Sequence, residues 1–248
     1  MPGDERPPQS AGLSDEPPAL LRGDIEILGL LPNASNHTLL VRCSDGDDGV
    51  LAVYKPRRGE APLWDFPEGT LYLREVAAYR LARSLGWPNV PPTLVRDGPA
   101  GPGSVQLFRM FDPEQHFFTL EDERPEEFRR VALFDLVANN ADRKAGHCLL
   151  SDDGRIWAID HGVCFSDEPK LRTVIWSFAG DPIEEGLRGD LERVARSLDP
   201  GGDLRGELED LLATTEVDAT ADRARELVRT GRFPEPIPGT RPFPWPPI

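Results

Sequence analysis

The sequence predicts an α+β protein of two lobes, a small antiparallel β lobe with one helix and a mainly helical second lobe. Short runs of alternating apolar and polar residues, separated by Gly, Pro and Asp, recur between residues 24 and 111. One helical pattern, "LYLREVAAYRLARSLGW" (71–87), interrupts them. Beyond residue 180 the apolar residues recur at helical spacing. A chain of 248 residues is long enough to bury a core in such a fold.

The strands of the β lobe are predicted in "DIEILGLL", "HTLLVRC" and "VLAVYKP", starting at Asp24. The acidic turn "SDGDDG" predicts a hairpin at Asp45–Gly49. The loop "PNASNH" (32–37) joins the first two strands. After the helix, "VPPTLVRDG" and "GSVQLFRMF" predict a second hairpin, with "PAGP" at its turn.

The helical patterns identify candidate core residues. In the helix of the β lobe these are Val76, Tyr79, Leu81 and Leu85. A second helix is predicted in "EFRRVALFDLVANN" (127–140), followed by loop, strand, turn and strand up to "IWAIDHGVCF" (156–165). Nine later apolar residues follow helical spacing: Ile183, Leu187, Leu191, Val194, Leu198, Leu204, Leu208, Leu211 and Leu212.

The ends of the chain differ from its centre in composition. Residues 1–18, rich in Pro and acids, are expected to be a disordered tail. The predicted domain spans 19–232, with a small lobe of about 19–110 and a large lobe of about 111–232. The prolines of 233–248 exclude a helix there. Its apolar residues predict an extended tail lying on the domain, and a peptide-docking tail is the alternative.

Composition excludes several classes of function. The formal net charge of −15 argues against nucleic acid as a partner and against docking on anionic lipid. No apolar run approaches the ~20 residues that cross a bilayer, and the N-terminal residues show no signal-peptide pattern. We therefore expect a cytoplasmic protein without stable membrane insertion. The spacing of Cys43, Cys148 and Cys164 fits buried free thiols better than disulfides or a zinc site.

Five charged or titratable residues lie within or beside predicted elements. Lys55 ends a strand, Glu75 lies on the following helix, Asp142 follows a helix, His147 begins a strand, and Asp160 ends the next one. Phosphoryl transfer needs such a set: a lysine for phosphate oxygens, a glutamate that holds it, an acid facing the attacking hydroxyl, and metal ligands. Lysine is rare in this chain, whose only lysines are Lys55, Lys144 and Lys170. Arginine supplies the other basic side chains, so a lysine is expected where arginine would not serve.

Each of these residues alone has a plainer interpretation. Lys55 and Glu75 would more often be surface residues, and Asp142 could cap a turn with Arg143 and Lys144 as partners. A lone His147 is more often a hydrogen-bonded structural histidine than a ligand.

The motifs taken together indicate more than any one of them. "VYKP", "LREVAAY", "VPPT", "VQLF", "NNADRKAGH" and "AIDHGVCF" follow one another between roughly residues 24 and 180. In order and separation they resemble the phosphatidylinositol 3- and 4-kinase superfamily, and the type II phosphatidylinositol 4-kinases and their plant relatives most. The chain also looks like a member of an actinobacterial branch of this superfamily. The resemblance implies a two-lobed, protein-kinase-like fold and an ATP-dependent phosphotransferase that uses Mg²⁺ or Mn²⁺.

The resemblance also implies a role for individual residues. Lys55 would contact the nucleotide phosphates with Glu75 as its partner, and Asp142 would be the catalytic aspartate. His147 and Asp160 would hold the metal. The strand that links the lobes, where the adenine would bind, comprises Gln106, Leu107, Phe108 and Arg109. "PNASNH" stands where the family has its phosphate-covering loop, so Ser35 and Asn36 are expected to contact the nucleotide.

Three features depart from the family pattern, one of which is His161 in place of a small or polar residue beside Asp160. The family usually has Asn where this chain has His147, and a nitrogen ligand predicts that Mn²⁺ serves at least as well as Mg²⁺. The cysteine-rich membrane-anchoring segment of type II lipid kinases is absent from the sequence given. The hydroxyl acceptor is therefore open among protein, lipid and small polar molecule. A nucleotide-binding pseudokinase with a regulatory role is the alternative function. The sequence makes no prediction of the oligomeric state.

Overall fold

The small lobe is built on a five-stranded antiparallel sheet. The structure is a computed structural model and describes residues 16–31 and 37–248. The strand order is β1-β2-β3-β5-β4. The strands are β1 (Asp24–Leu30), β2 (Leu39–Asp45), β3 (Asp48–Pro56), β4 (Thr93–Gly98) and β5 (Gly101–Leu107).

Both predicted hairpins are confirmed. Asp45 pairs with Asp48 at the β2–β3 turn, where Gly46 takes a φ of 66° that favours glycine. Gly98 pairs with Gly101 at the β4–β5 turn. The two hairpins meet where β3 pairs with β5, with Lys55 opposite Ser104 and Val53 opposite Gln106.

The two faces of the sheet have different partners. The short helix α1 (Pro18–Arg22) packs Leu20 into a core with Tyr54 and Val105. Side chains alternate along a strand, and paired residues of neighbouring strands share a face. Lys55 and Gln106 therefore lie together on the other face of the sheet, which is the face toward α2 (Leu71–Leu85).

Helix α2 joins the two lobes. The four residues predicted for its packed side (Val76, Tyr79, Leu81, Leu85) are buried. The helix ends at Gly86 in the left-handed conformation, with a φ of 86°. Leu81 and Leu85 belong to the same hydrophobic cluster as Leu191 and Leu208 of the large lobe. The helix of the small lobe is thus packed into the core of the large lobe.

The large lobe is mainly helical, and the predicted α+β class is confirmed. It contains α3 (Phe117–Leu120), α4 (Pro125–Ala138), α5 (Glu185–Ser197), α6 (Asp203–Glu209) and α7 (Thr214–Thr230). A short 3₁₀ turn (Ala145–His147) leads into the hairpin of β6 (Cys148–Leu150) and β7 (Ile156–Ala158). Of the nine late apolar residues predicted to pack, eight are buried and Leu211 is partly buried against the same core.

The C-terminal segment (233–248) contacts the large lobe, but the apolar side chains expected to hold it there are mostly exposed: Ile237, Phe243 and Trp245 face solvent. Phe233 is buried, and the carbonyl of Pro242 accepts hydrogen bonds from the backbone N–H of Thr173 and the indole of Trp176. The carbonyl of Pro247 accepts the N–H of Ala145 at 2.8 Å. The three cysteines are buried free thiols, as expected. Within residues 16–31 and 37–248 no helix combines the length and the apolar composition needed to span a bilayer.

Candidate active site

Lys55 occupies the centre of a charged cluster between the sheet and the large lobe. Its Nζ donates to Glu75 Oε1 and, at 2.8 Å, to Asp160 Oδ1. Burial acts to lower the pKa of Lys55, but the carboxylates of Asp160 and Glu75 outweigh it and raise that pKa above its ordinary value. The lysine is therefore a fixed cation. Strand β3, helix α2 and the large lobe each contribute one member of this cluster.

Glu75 connects the lysine to the backbone beside Asp160. Its side chain is only 3% exposed. While Oε1 accepts from Lys55, Oε2 accepts the backbone N–H of His161 at 3.0 Å. Both carboxylate oxygens thus have donors, which offsets the cost of burying the charge. The carboxylate sets the distance between α2 and the segment that carries Asp160.

Asp160 and His147 face each other at the end of the β6–β7 hairpin. His147 Nε2 lies 3.3 Å from Asp160 Oδ2. Asp160 has a φ of 61°, a conformation uncommon outside glycine and one that clusters at functional sites. The charge of Lys55 holds the pKa of Asp160 well below its usual range. Burial lowers the pKa of His147 to about 4, so near neutral pH an ionised carboxylate faces a neutral imidazole.

Asp142 lies near this pair on the loop that follows α4. Lys144 Nζ stands 3.6 Å from its Oδ2, and its backbone N–H donates to Asn140 Oδ1 at 3.0 Å. Burial raises the pKa of Asp142, while the charge of Lys144 acts in the opposite direction. An ionised carboxylate with a raised pKa is a stronger proton acceptor than an exposed aspartate.

Arg143 holds the loop after α4 in place through buried hydrogen bonds, a role that the sequence motifs do not predict. Its guanidinium is fully buried, binds the carboxylate of Asp135 on α4, and lies 2.7 Å from His161 Nε2. It also donates to the carbonyls of His147 and Ile159 at 3.2 and 2.9 Å. One side chain thereby fixes the residues flanking Asp142, His147 and Asp160. An acid within the apolar run "ALFDLVA" is the sequence signal that marks Asp135.

Lys144, expected only as a possible surface partner of Asp142, is paired with that carboxylate. It is one of three lysines in the chain, and its ammonium group is the cation beside Asp142. The rarity of lysine is the signal that could have identified it.

The four predicted linker residues form a continuous connection from β5 into the large lobe. Gln106 is buried and donates to Thr93 Oγ1 at 2.9 Å, and the Phe108 N–H donates to the Leu51 carbonyl at 3.0 Å. Leu107 ends β5 and is partly buried. The Arg109 guanidinium lies 3.9 Å from the ring centroid of Trp157. The structure brings together Lys55, Glu75, His147 and Asp160, with Asp142 close by, and Ser35 and Asn36 lie outside the described residues.

The donor set at Asp160 fits a metal ion that is shared with a ligand. Among the described residues no group of three or more His, Cys, Asp or Glu side chains is placed to hold a metal by itself. His147 Nε2 and Asp160 Oδ2 are an adjacent nitrogen and oxygen donor, and the imidazole is neutral near pH 7. An ion held by these two groups would take its remaining ligands from phosphate oxygens and water, as divalent ions in nucleotide sites do.

Comparison with known proteins gives relatives at two levels. No family model matches the chain. Part of the chain is similar to phosphatidylinositol 4-kinase gamma 4 of rice (34% identity over 130 residues) and gamma 3 of Arabidopsis thaliana (32% over 84 residues). The matches cover 43% and 32% of this chain but only 22% and 14% of those proteins. The resemblance seen in the motifs is thereby confirmed over part of the chain.

Two further proteins match most of the chain. The Helicobacter pylori proinflammatory kinase CtkA superposes on 83% of the chain and 96% of its own, with a TM-score of 0.43 and 12% identity. Protein Rv2133c of Mycobacterium tuberculosis is 38% identical over 267 residues, covering 94% of this chain and 95% of that protein. The chain therefore belongs to the family of the mycobacterial Protein Rv2133c.

Proposed function

We propose that the protein is an ATP- and divalent-metal-dependent phosphotransferase that transfers the γ-phosphate to a hydroxyl acceptor. The observation that carries the proposal is the arrangement around Lys55. A partly buried lysine is held by a helix glutamate and by Asp160, and Asp160 faces His147. The partial similarity to plant phosphatidylinositol 4-kinases supports the same class of reaction.

The proposed chemistry divides the work among four side chains. Lys55, held by Glu75, neutralises nucleotide phosphate oxygens. Asp142 orients the acceptor hydroxyl and takes its proton as the oxygen attacks the γ-phosphorus. The bond from the γ-phosphorus to the bridging oxygen breaks, and ADP leaves with that electron pair. Lys144, close to Asp142, is placed to stabilise the negative charge of the transferred group.

The metal would be held by His147 and Asp160 together with the phosphates. When bound, it would supply positive charge against the β- and γ-phosphate oxygens. The carboxylate of Asp160 is ionised in the absence of metal because Lys55 stabilises it. Lys55 thus keeps this ligand ready for a cation.

The acceptor of the proposed reaction is a hydroxyl of a protein, a lipid or a small polar molecule. The net charge of −15 opposes a stable association with anionic membranes and with nucleic acid. Soluble acceptors are therefore the first to test, and we propose that the protein acts in the cytoplasm.

Transfer of label from γ-labelled ATP, with protein, lipid and small polyol acceptors, tests the proposal. Asp142→Asn should lower the rate by roughly 10²–10⁴-fold, the usual effect of a positioned acid or base. Affinity for ATP should be unchanged because Asp142 faces the acceptor. Asp152→Asn, in the exposed turn between β6 and β7, is the matched control.

A nucleotide-binding regulatory module is the competing function, and His147 in place of the usual Asn favours it. In that case ATP binds in the presence of metal, but no label reaches any acceptor or water. Equal rates for wild type and Asp142→Asn would instead exclude Asp142 from the reaction.

A further inference from the structure

Arg74, the residue before Glu75 on α2, is an arginine buried to 1% exposure. Its guanidinium donates to the carbonyl of Cys164 at 2.7 Å and to Glu216 Oε1 at 2.6 Å. The guanidinium carbon of Arg74 lies over the Phe66 ring, 4.9 Å from its centroid. Burying a cation is costly unless its donors are satisfied, and here two distant parts of the chain, Cys164 and Glu216, accept its hydrogen bonds.

Glu216 is itself fixed at the start of α7. Its other oxygen, Oε2, accepts the backbone N–H of Ala213, which precedes that helix. The side chain is only 10% exposed. The ion pair therefore joins α2 to the first turn of α7, at a point where neither partner can shift without losing a second hydrogen bond.

Cys164, whose carbonyl Arg74 binds, lies on the segment that follows Asp160. Glu75 accepts the backbone N–H of His161 on that segment, and Arg74 donates to the carbonyl of Cys164, three residues later. Two neighbouring side chains of one helix thus hold the same segment at two places. Arg74 adds the connection to α7 that Glu75 lacks.

We infer that the Arg74–Glu216 ion pair positions Glu75 for Lys55, and that α2 is held permanently in the place that nucleotide binding requires. This inference rests on the proposed function for its effect on ATP. Arg74 is a positioning residue, because it acts through Glu75 and the segment 160–164. With α2 tied to the large lobe, the Lys55–Glu75 contact forms in the free protein without an activating event.

Removing both charges tests the role of the pair without leaving one buried charge alone. In Arg74→Met/Glu216→Met we expect faster hydrogen exchange in residues 71–85 and a metal-dependent ATP affinity lower by roughly tenfold, a coupling of about 1.4 kcal/mol. Arg83→Met is the control, since Arg83 lies on the same helix in a partly exposed pair with Glu207 of α6. It should leave both quantities unchanged.

Arg74→Lys covers the case in which the double variant fails to fold. A lysine keeps the charge but cannot make both hydrogen bonds in the arginine geometry, so we expect an intermediate loss of affinity and of protection. Unchanged exchange and unchanged affinity in Arg74→Lys and in any folded double variant overturn the inference. If the wild type binds no nucleotide, the proposed function fails, while hydrogen exchange of α2 still decides whether the pair positions the helix.

Discussion

At the scale of single residues, the site depends on one ammonium group shared by two carboxylates. Lys55 is 21% exposed on its side chain, Glu75 is 3% exposed, and Asp160 is 45% exposed. Glu75 is therefore the structural partner, while Asp160 is the carboxylate that reaches solvent and incoming ligands. The two contacts should respond differently to mutation.

Lys55→Met should lower both nucleotide affinity and stability. The loss of stability should be about 2–4 kcal/mol, because the buried carboxylate of Glu75 loses its cation. Adding Glu75→Gln should restore most of the stability but none of the affinity. Urea unfolding and ATP titration of both variants check this. Recovery of affinity in the double variant would show that Lys55 only balances the charge of Glu75.

The partly buried His147 and the buried His161 should make the protein sensitive to mild acid. Burial lowers the pKa of His147 from 6.5 to about 4 and also lowers that of His161. Between pH 6.5 and pH 4 the histidine is protonated in the unfolded chain but neutral in the folded protein. The free energy of unfolding therefore falls as pH decreases through this range. Between pH 7 and pH 5 the free energy of unfolding of His147→Asn should fall by about 1–2 kcal/mol less than that of the wild type. Parallel losses in urea unfolding would show that His147 does not cause the effect.

At the scale of elements, the C-terminal segment is tied to the loops that carry the site. The carbonyl of Pro242 accepts the backbone N–H of Thr173, which forms a β-bridge with Arg143. The carbonyl of Pro247 accepts the backbone N–H of Ala145, a residue between Asp142 and His147. The segment therefore supports the backbone of Arg143 and Ala145, directly after the proposed catalytic aspartate.

Removal of residues 241–248 should loosen that backbone. The N–H groups of Ala145 and Thr173 lose their carbonyl partners, and we expect stability to fall by about 1–3 kcal/mol. Their amide hydrogens should exchange faster, while those of β2 and β3 should not change. Hydrogen exchange of the full and shortened chains measures both. Unchanged exchange at Ala145 would assign the segment no part in holding the loop.

Local patterns predicted most elements because their causes are local. Alternation and glycine turns identified the two hairpins, and apolar spacing identified the buried side of α2. Helix α1 was not predicted, because its five residues are too few to show a helical pattern. The helix depends on the packing of Leu20 against the sheet. The bridge between Arg143 and Thr173 also joins segments that no local pattern relates.

The candidate site could be predicted in part for a similar reason. Lys55, His147 and Asp160 stand at element ends and Glu75 lies within a helix pattern, positions that the sequence displays. Asp135 and Arg143 act by burial, and burial depends on the whole fold.

At the scale of the whole molecule, α2 of the small lobe belongs to the hydrophobic cluster of the large lobe, while the sheet has a cluster of its own. Trp87, just after that helix, also donates its indole N–H to Asp190 of α5 at 2.9 Å. We therefore expect the lobes to unfold together, in one cooperative transition. Tryptophan fluorescence and far-ultraviolet circular dichroism should give the same midpoint in urea. Separate midpoints would show that the sheet unfolds independently of the large lobe.

The most direct test of the whole account is calorimetric titration of the protein with a non-hydrolysable ATP analogue, with Mg²⁺, with Mn²⁺ and without metal. The account predicts one metal-dependent site per chain, with Mn²⁺ at least as effective as Mg²⁺ because His147 supplies nitrogen. Asp160→Asn should abolish the metal dependence, and His147→Asn should shift the preference toward Mg²⁺. Absence of binding, or binding that is equal with and without metal and unchanged in Asp160→Asn, would contradict it.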